Sequence, residues 1–325
     1  MNNRRKLFIA IGTAALASPL TLRAQTKIWR IGFLGSATAQ GYARPVDALR
    51  AGLRDLGYVE GKNIAIEYRW AENKFERLPG LAAELVKMNV DVIVTHGTPG
   101  TLAAKQATTT IPIVIAAIGD ALAVGVVTSL ARPGGNITGT TFFLPELAAK
   151  RLEIIHDAMP RARRGAVLLN STNPMTEPML KAMELTAKSL KLELLRFPIR
   201  TPEEFDGAFA AMAAKRIEAL ITYEDPIMTA NVKRIADMAV KQRLPSFGSP
   251  DFADAGGLLG YGVSFIDMFR RAPYFVDKIF KGAKAGDVPV EQWNKFELVV
   301  NFKTAKLLGV KLPNIVLQRA DRVIE

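Results

Sequence analysis

Between residues 92 and 108 the chain reads VIVTHGTPGTLAAKQAT, β-formers that run through a Gly/Pro/Thr knot into a helical pattern. A helix starting there turns unpaired N–H groups and a partial positive charge toward whatever lies in front of it, which suits a carboxylate or phosphate. Thr98 has the type and place of an N-cap, and Pro99 that of a first helical residue. The Thr98 hydroxyl and the N–H groups of Gly100 and Thr101 then form a candidate carboxylate cradle, and Gly97 allows close backbone approach. The alternative is ordinary strand-to-helix turn chemistry.

Other strand ends carry residues of the same kinds. "IPIVIAAIGD" closes with Ala117, Gly119 and Asp120. The small residues leave room for a solute, and Asp120 either meets a ligand ammonium or a basic residue across a hinge, or caps the helix from Leu122. Ser36 follows "IGFLG", whose Gly32-x-x-Gly35 lacks the Gly-x-Gly-x-x-Gly of dinucleotide sites. Further on, "LLNSTNP", "TYEDP" and "FGSPDF" place Ser171, Asn173, Tyr223, Asp225, Ser249 and Asp251 at successive strand ends. Ser171 and Asn173 offer neutral hydrogen bonds, Tyr223 an aromatic wall with a hydroxyl, Asp225 and Asp251 negative charge. Each alone reads equally well as a turn former or cap. Jointly they describe an acidic face opposite a donor-rich helix end, suited to a zwitterion or another solute of both polarities.

The elements that must position these residues alternate short apolar strands with amphipathic helices, the pattern of parallel sheets covered on both faces. Val46, Leu49, Leu53 and Leu56 share one helical face between Pro45 and Gly57, and strands are expected at "IWRIGFLG", "NIAIEYRW", 90–95 and "IPIVIAAIGD". "ARPGGNITGTTF", 131–142, breaks the rhythm and is expected as a first crossing between lobes; "AGGLLGYGV", 255–263, is expected as a second. The fold class is therefore α/β, two Rossmann-like lobes with parallel sheets joined by hinge strands. The expected lobes are 28–141 plus 257–285, and 142–256 plus 286–325. Ligands in such sheets collect at the carboxyl ends of the strands, where each Gly/Ser/Thr/Asp knot falls.

At 325 residues, 49% hydrophobic and 23% charged, the composition is that of an ordinary soluble protein with two compact lobes. Arg4, Arg5 and Lys6 ahead of an apolar run from Leu7 to Leu22 predict a secretory signal over residues 1–24, cleaved near Ala24. The run is broken by Gly12 and Pro19 and is short for a membrane span. The Arg pair leaves both the general and the twin-arginine export routes open. Loss of four of the 43 cations lowers the net charge from +12 to +8, spread along helices without aromatic interleaving, so nucleic acid is not an expected partner. With no cysteine there are no disulfides, thiolate sites or lipid-bearing Cys, and His96 and His156 stand 60 residues apart, so neither metal nor cofactor is expected. The mature protein is expected free in the periplasm as a monomer.

Over its whole mature length the sequence resembles the periplasmic solute-binding proteins of ABC importers, in the family of the tryptophan/tyrosine-type components. The matching stretches are "LRDLGYVEGKNIAIEYRWA", "DVIVTHGTPGTLAAKQATTTIPIVIAAIGD", "SLARPGGNITG", "AGGLLGYGVSFIDMFRRAPYFVDKIFKGAKAGDVPVEQ", "KFELVVNFKTAKLLGV" and "RADRVIE". The resemblance implies a type I periplasmic-binding-protein fold and a receptor that closes on a small solute, an amino acid or related carboxylate, and presents the closed form to a membrane permease. Relatives that take aromatic amino acids commonly show Thr-Asp-Asn where this chain has Tyr223, Glu224 and Asp225; it is closer to members with Asp-Pro here. A ligand sensor for a membrane signalling partner is the alternative. A cleft enzyme such as a hydrolase has less support, since no nucleophile elbow or phosphate loop is present.

Overall fold

The computed structural model describes residues 27–325; the expected export segment lies outside the described residues. The first lobe is built from β1 (Trp29–Gly35), α1 (Ala43–Asp55), β2 (Ile64–Trp70), α2 (Leu78–Lys87), β3 (Val92–His96), α3 (Gly97–Ala107), β4 (Ile113–Ile118) and β5 (Ile137–Thr141). The second follows with α4 (Leu144–Ala158), β6 (Arg164–Asn170), α5 (Thr176–Ser189), β7 (Glu193–Ile199), α6 (Phe205–Ala214), β8 (Ala219–Ile221), α7 (Pro226–Ala230), α8 (Val232–Lys241), β9 (Ser246–Gly248), α9 (Pro250–Asp254) and β10 (Leu259–Gly262). The chain returns to the first lobe for α10 (Phe265–Phe280) and β11 (Glu291–Gln292), then ends in the second with β12 (Glu297–Asn301), α11 (Phe302–Leu308), α12 (Asn314–Gln318) and β13 (Arg322–Ile324).

The first sheet has the order β11-β5-β4-β3-β1-β2 and the second β13-β12-β10-β9-β8-β6-β7. All pairings are parallel except β10 with β12. Every residue of β3, β4 and β5 is buried, because helices cover both faces of a parallel sheet and leave no side for water. On α1, Val46, Leu49 and Leu53 face inward as their spacing predicts. Leu56, the fourth of that row, is exposed beyond the helix end. Gly52 lets α10 cross closely, since a Cβ there would stand 2.5 Å from the Arg270 carbonyl oxygen.

The strand pairing departs from the expected lobe boundaries. Residues 259–262 read as a glycine-rich crossing, yet they form β10 in the middle of the second sheet. Gly260 is what permits this: a Cβ would lie 2.3 Å from the Ser249 carbonyl oxygen. The chain crosses only after Gly262, and the first sheet keeps its share until β11, past the expected limit at 285. After β8 the chain forms two helices, α7 and α8, interrupted at Asn231, whose side-chain amide donates to the Ile227 carbonyl at 2.8 Å.

Candidate functional site: the cleft between the lobes

α3 begins at Gly97 rather than after Thr98, so His96 is the flanking residue and Thr98 sits in the first turn. Gly97 has φ +68°, and a Cβ on it would stand 2.7 Å from Pro226 Cγ of the opposite lobe. Only glycine satisfies both demands cheaply. Gly100 serves packing instead, because a Cβ there would meet Thr95 Oγ1 at 2.6 Å and Ser36 Oγ at 2.9 Å. Ser36 is buried beneath that turn and donates to the His96 carbonyl at 3.5 Å; the Thr101 hydroxyl donates to the Gly97 carbonyl at 2.8 Å. Of the expected cradle, Gly97 and Thr98 reach the cleft.

The first lobe lines the cleft with Tyr42, His96, Gly97, Thr98, Ala117, Ile118 and Gly119. The second supplies Asn173, Met175, Glu224 and Pro226, and the segments around the crossings supply Phe142, Leu144 and Phe265. The lobes stand against each other, and the cavity at the centre measures about 10 Å³, the scale of one water-sized body. The starts of α3 and α4 both border it, at Gly97 and Leu144; α3 has no side-chain cap, while at α4 the Leu144 N–H already donates to the Gly119 carbonyl at 2.8 Å and Pro145 has none. The partly positive start of α3 therefore faces this small space.

Several expected contacts lie elsewhere. Asp120 Oδ1 accepts from the Leu122 and Ala123 N–H groups at 2.9 Å each, so it caps its own loop. Asp225 is wholly buried: Oδ1 accepts from the Ile227 and Met228 N–H groups at 2.8 and 3.4 Å, and Oδ2 from the Asn170 and Asn173 side-chain amides at 3.1 and 2.8 Å. Burial pushes its carboxyl up to about 6 while these hydrogen bonds pull the other way. The Tyr223 hydroxyl accepts from the Asn170 N–H at 3.1 Å and shares a hydrogen bond with Thr176 Oγ1 at 2.9 Å, inside the second lobe and away from the cleft wall. Ser249 caps α9, accepting from the Phe252 N–H at 3.2 Å. Asp251 lies in the first turn of α9, where burial raises its carboxyl to about 6 and Arg44 of α1 opposes the rise. Ser171 borders a separate cavity of about 400 Å³ on the second lobe, which Asn173 also touches.

Sequence reasoning missed three groups. Glu224 is the one charged side chain among the described residues lining the cleft, and it is paired with Arg151 of α4, Nη2 to Oε1 at 2.7 Å. Arg151 also donates to the Thr222 and Tyr261 carbonyls at 2.6 to 3.0 Å, so its guanidinium is satisfied within the second lobe. Its place on an amphipathic helix carries no sequence mark of this role. His96, weighed from sequence only as a metal ligand, is 1% exposed and stacks on Tyr42 with ring centroids 4.1 Å apart. Phe33 and Phe269 flank it. Neither of its ring nitrogens has a hydrogen-bond partner. The Tyr42 hydroxyl has the Thr229 side chain of the opposite lobe as its polar neighbour. Burial holds the His96 pKa down at about 3. The third group is the apolar wall of Phe142, Leu144, Met175 and Phe265. Among the described residues, no three His, Cys, Asp or Glu side chains come together as a metal site.

The family described as ABC transporter substrate binding protein matches residues 38–324. A tyrosine-binding protein of Clostridioides difficile (strain R20291) is 27% identical over 260 residues, 80% of this chain and 74% of the relative. The solved ABC domain from Streptococcus pneumonia in complex with L-Trp is 23% identical, with TM-score 0.83 over 92% of this chain and all of that one. The ligand-free, open structure of a substrate-binding protein, CD0873, from Clostridium difficile is also 23% identical, with TM-score 0.62 over 91% of this chain and 99% of that one.

Proposed function

We propose a solute class and a closing mechanism from one premise: the chain belongs to the family of ABC transporter substrate binding proteins, and its work is to bind a small molecule for an importer. Proteins of this kind act outside the cytoplasm, and no helix among the described residues is long and apolar enough to cross a membrane. In our reading the mature protein works in the periplasm as a monomer, after removal of residues 1–24, and releases its solute unchanged to a membrane permease.

The solute we assign is a small carboxylate with an apolar or aromatic body, either an amino acid or an aromatic acid. One observation carries this assignment. The start of α3, which has no side-chain cap, borders a cleft walled by Tyr42, Phe142, Leu144, Met175 and Phe265, whose one charged side chain is neutralised by Arg151. Helix ends with free N–H groups hold an anion, and the wall removes apolar surface from water. Thr98 and Gly97 on the first lobe and Asn173 on the second place contacts on both sides of the solute. A solute that touches both jaws shifts the balance toward closure, because only interactions stronger in the closed form do so. Relatives named for tyrosine and solved with L-Trp agree with the class.

Thermal denaturation of the mature protein against amino acids, aromatic and aliphatic carboxylates and small heterocycles tests the assignment. A solute present at about 100 times its Kd stabilises by about 2.7 kcal/mol, a shift of several degrees. Stabilisation by heterocycles alone, with every carboxylate silent, rejects the class.

A further inference from the structure

We propose that His96 recognises an uncharged hydroxyl on the solute, so that the cleft prefers a hydroxylated carboxylate to the same molecule without the hydroxyl. The proposal rests on the carboxylate reading above and adds the substituent that the solute carries.

His96 is the polar cleft residue left uncommitted after the others are accounted for. Glu224 is engaged by Arg151. The Asn173 amide donates to Asp225 and its oxygen accepts from the Met175 N–H at 3.0 Å. Thr98 sits on the first turn of α3, beside the N–H groups that suit the carboxylate. His96 ends β3 immediately before that turn, its ring fixed against Tyr42 and flanked by Phe33 and Phe269, with both nitrogens buried and unpartnered. Buried polar atoms almost always find partners, so two on one ring at the edge of a binding cleft point to a partner that the ligand brings.

The chemistry of the ring narrows that partner. Burial among aromatic side chains keeps His96 neutral at any pH where an importer works, so it is no counter-ion for the carboxylate. A neutral imidazole offers one N–H and one lone pair. An ammonium group serves only the lone pair, and a carboxylate oxygen only the N–H. A hydroxyl both donates and accepts, so it pairs with either nitrogen in either tautomer. The Tyr42 hydroxyl, borne on the ring that His96 stacks against and neighbour to Thr229 across the cleft, can share its lone pairs with the same group.

If His96 merely fills space among Phe33, Tyr42 and Phe269, phenylalanine replaces it without consequence for specificity. Titration calorimetry with L-tyrosine against L-phenylalanine, and 4-hydroxybenzoate against benzoate, separates the two roles. We expect the wild-type protein to bind the hydroxylated member of at least one pair tenfold or more tightly. His96→Phe is expected to bind both members of that pair within twofold, at the wild-type affinity for the plain one. His96→Gln, which keeps a donor and an acceptor in a smaller side chain, is expected to retain part of the preference while its melting temperature reports folding. Equal wild-type affinity within both pairs overturns the proposal and leaves the carboxylate reading standing. Persistence of the preference in His96→Phe, or identical loss in both variants, assigns His96 to structure and also overturns it. Failure of all four compounds to bind overturns this proposal, while the carboxylate reading falls only if the wider panel of carboxylates is silent as well.

Discussion

Asp225 carries four hydrogen bonds on two oxygens, and all four donors belong to its own lobe. Its work is to start α7 and to tie the loop after β6 to the loop after β8. Asp225→Ala removes a cap and leaves two buried amides without an acceptor, a loss of about 2–4 kcal/mol expected in urea unfolding. Glu224, next to it, is the carboxylate that reaches the cleft, and a bare charge there would be costly without Arg151. Residue type told where such groups cluster but not which oxygen was already taken. Gly97, Thr98, Ala117, Gly119 and Asn173 were legible as cleft residues because strand ends of parallel sheets face ligand. His96 was not, since one histidine at the end of an apolar run has no periodicity to mark which way its ring turns.

Among the elements, α3 carries most of the site, and its first residue shows how closely the lobes approach. Gly97→Ala forces a side chain into a left-handed conformation and into Pro226. The expected result is a protein that folds with a modest loss of about 1–2 kcal/mol and binds its solute at least tenfold more weakly, because the clash arises only when the lobes meet. Calorimetry beside thermal melting checks both parts, and unchanged affinity would show that closure does not bring residues 97 and 226 together. Periodicity made α1 legible: it falls within two residues of the stretch between Pro45 and Gly57. β10 was not, because its glycines read as a hinge; their real office is to let the strand pass close to the backbone at Ser249.

For the whole molecule, contact across the cleft is as informative as any single residue. Gly41 lies so near Ala230 that a Cβ on it would meet that side chain at 2.5 Å, and Gly119 approaches Met175 in the same way at 3.4 Å. The lobes are closed, and a cavity of about 10 Å³ admits no amino acid without their parting. Solute entry therefore requires that the solute-free protein populate an open form in solution, and small-angle scattering of the mature protein is expected to show a radius of gyration that falls when a stabilising solute draws that population closed. A radius unchanged by a solute that raises the melting temperature would mean binding without hinge motion.

The sequence by itself determined the α/β class, the order of the main β/α units and the strand ends at which a solute must be met. These follow from apolar period, from turn chemistry and from the handed geometry of parallel sheets, all of which are local or nearly so. Only the tertiary structure decided which polar groups remain free. Asp120, Asp225, Tyr223 and Ser249 satisfy their hydrogen bonds within their own lobes, while His96 does not. Whether a donor is already answered depends on partners as distant in sequence as Arg151 and Glu224, 73 residues apart, and such a distance is set by packing alone.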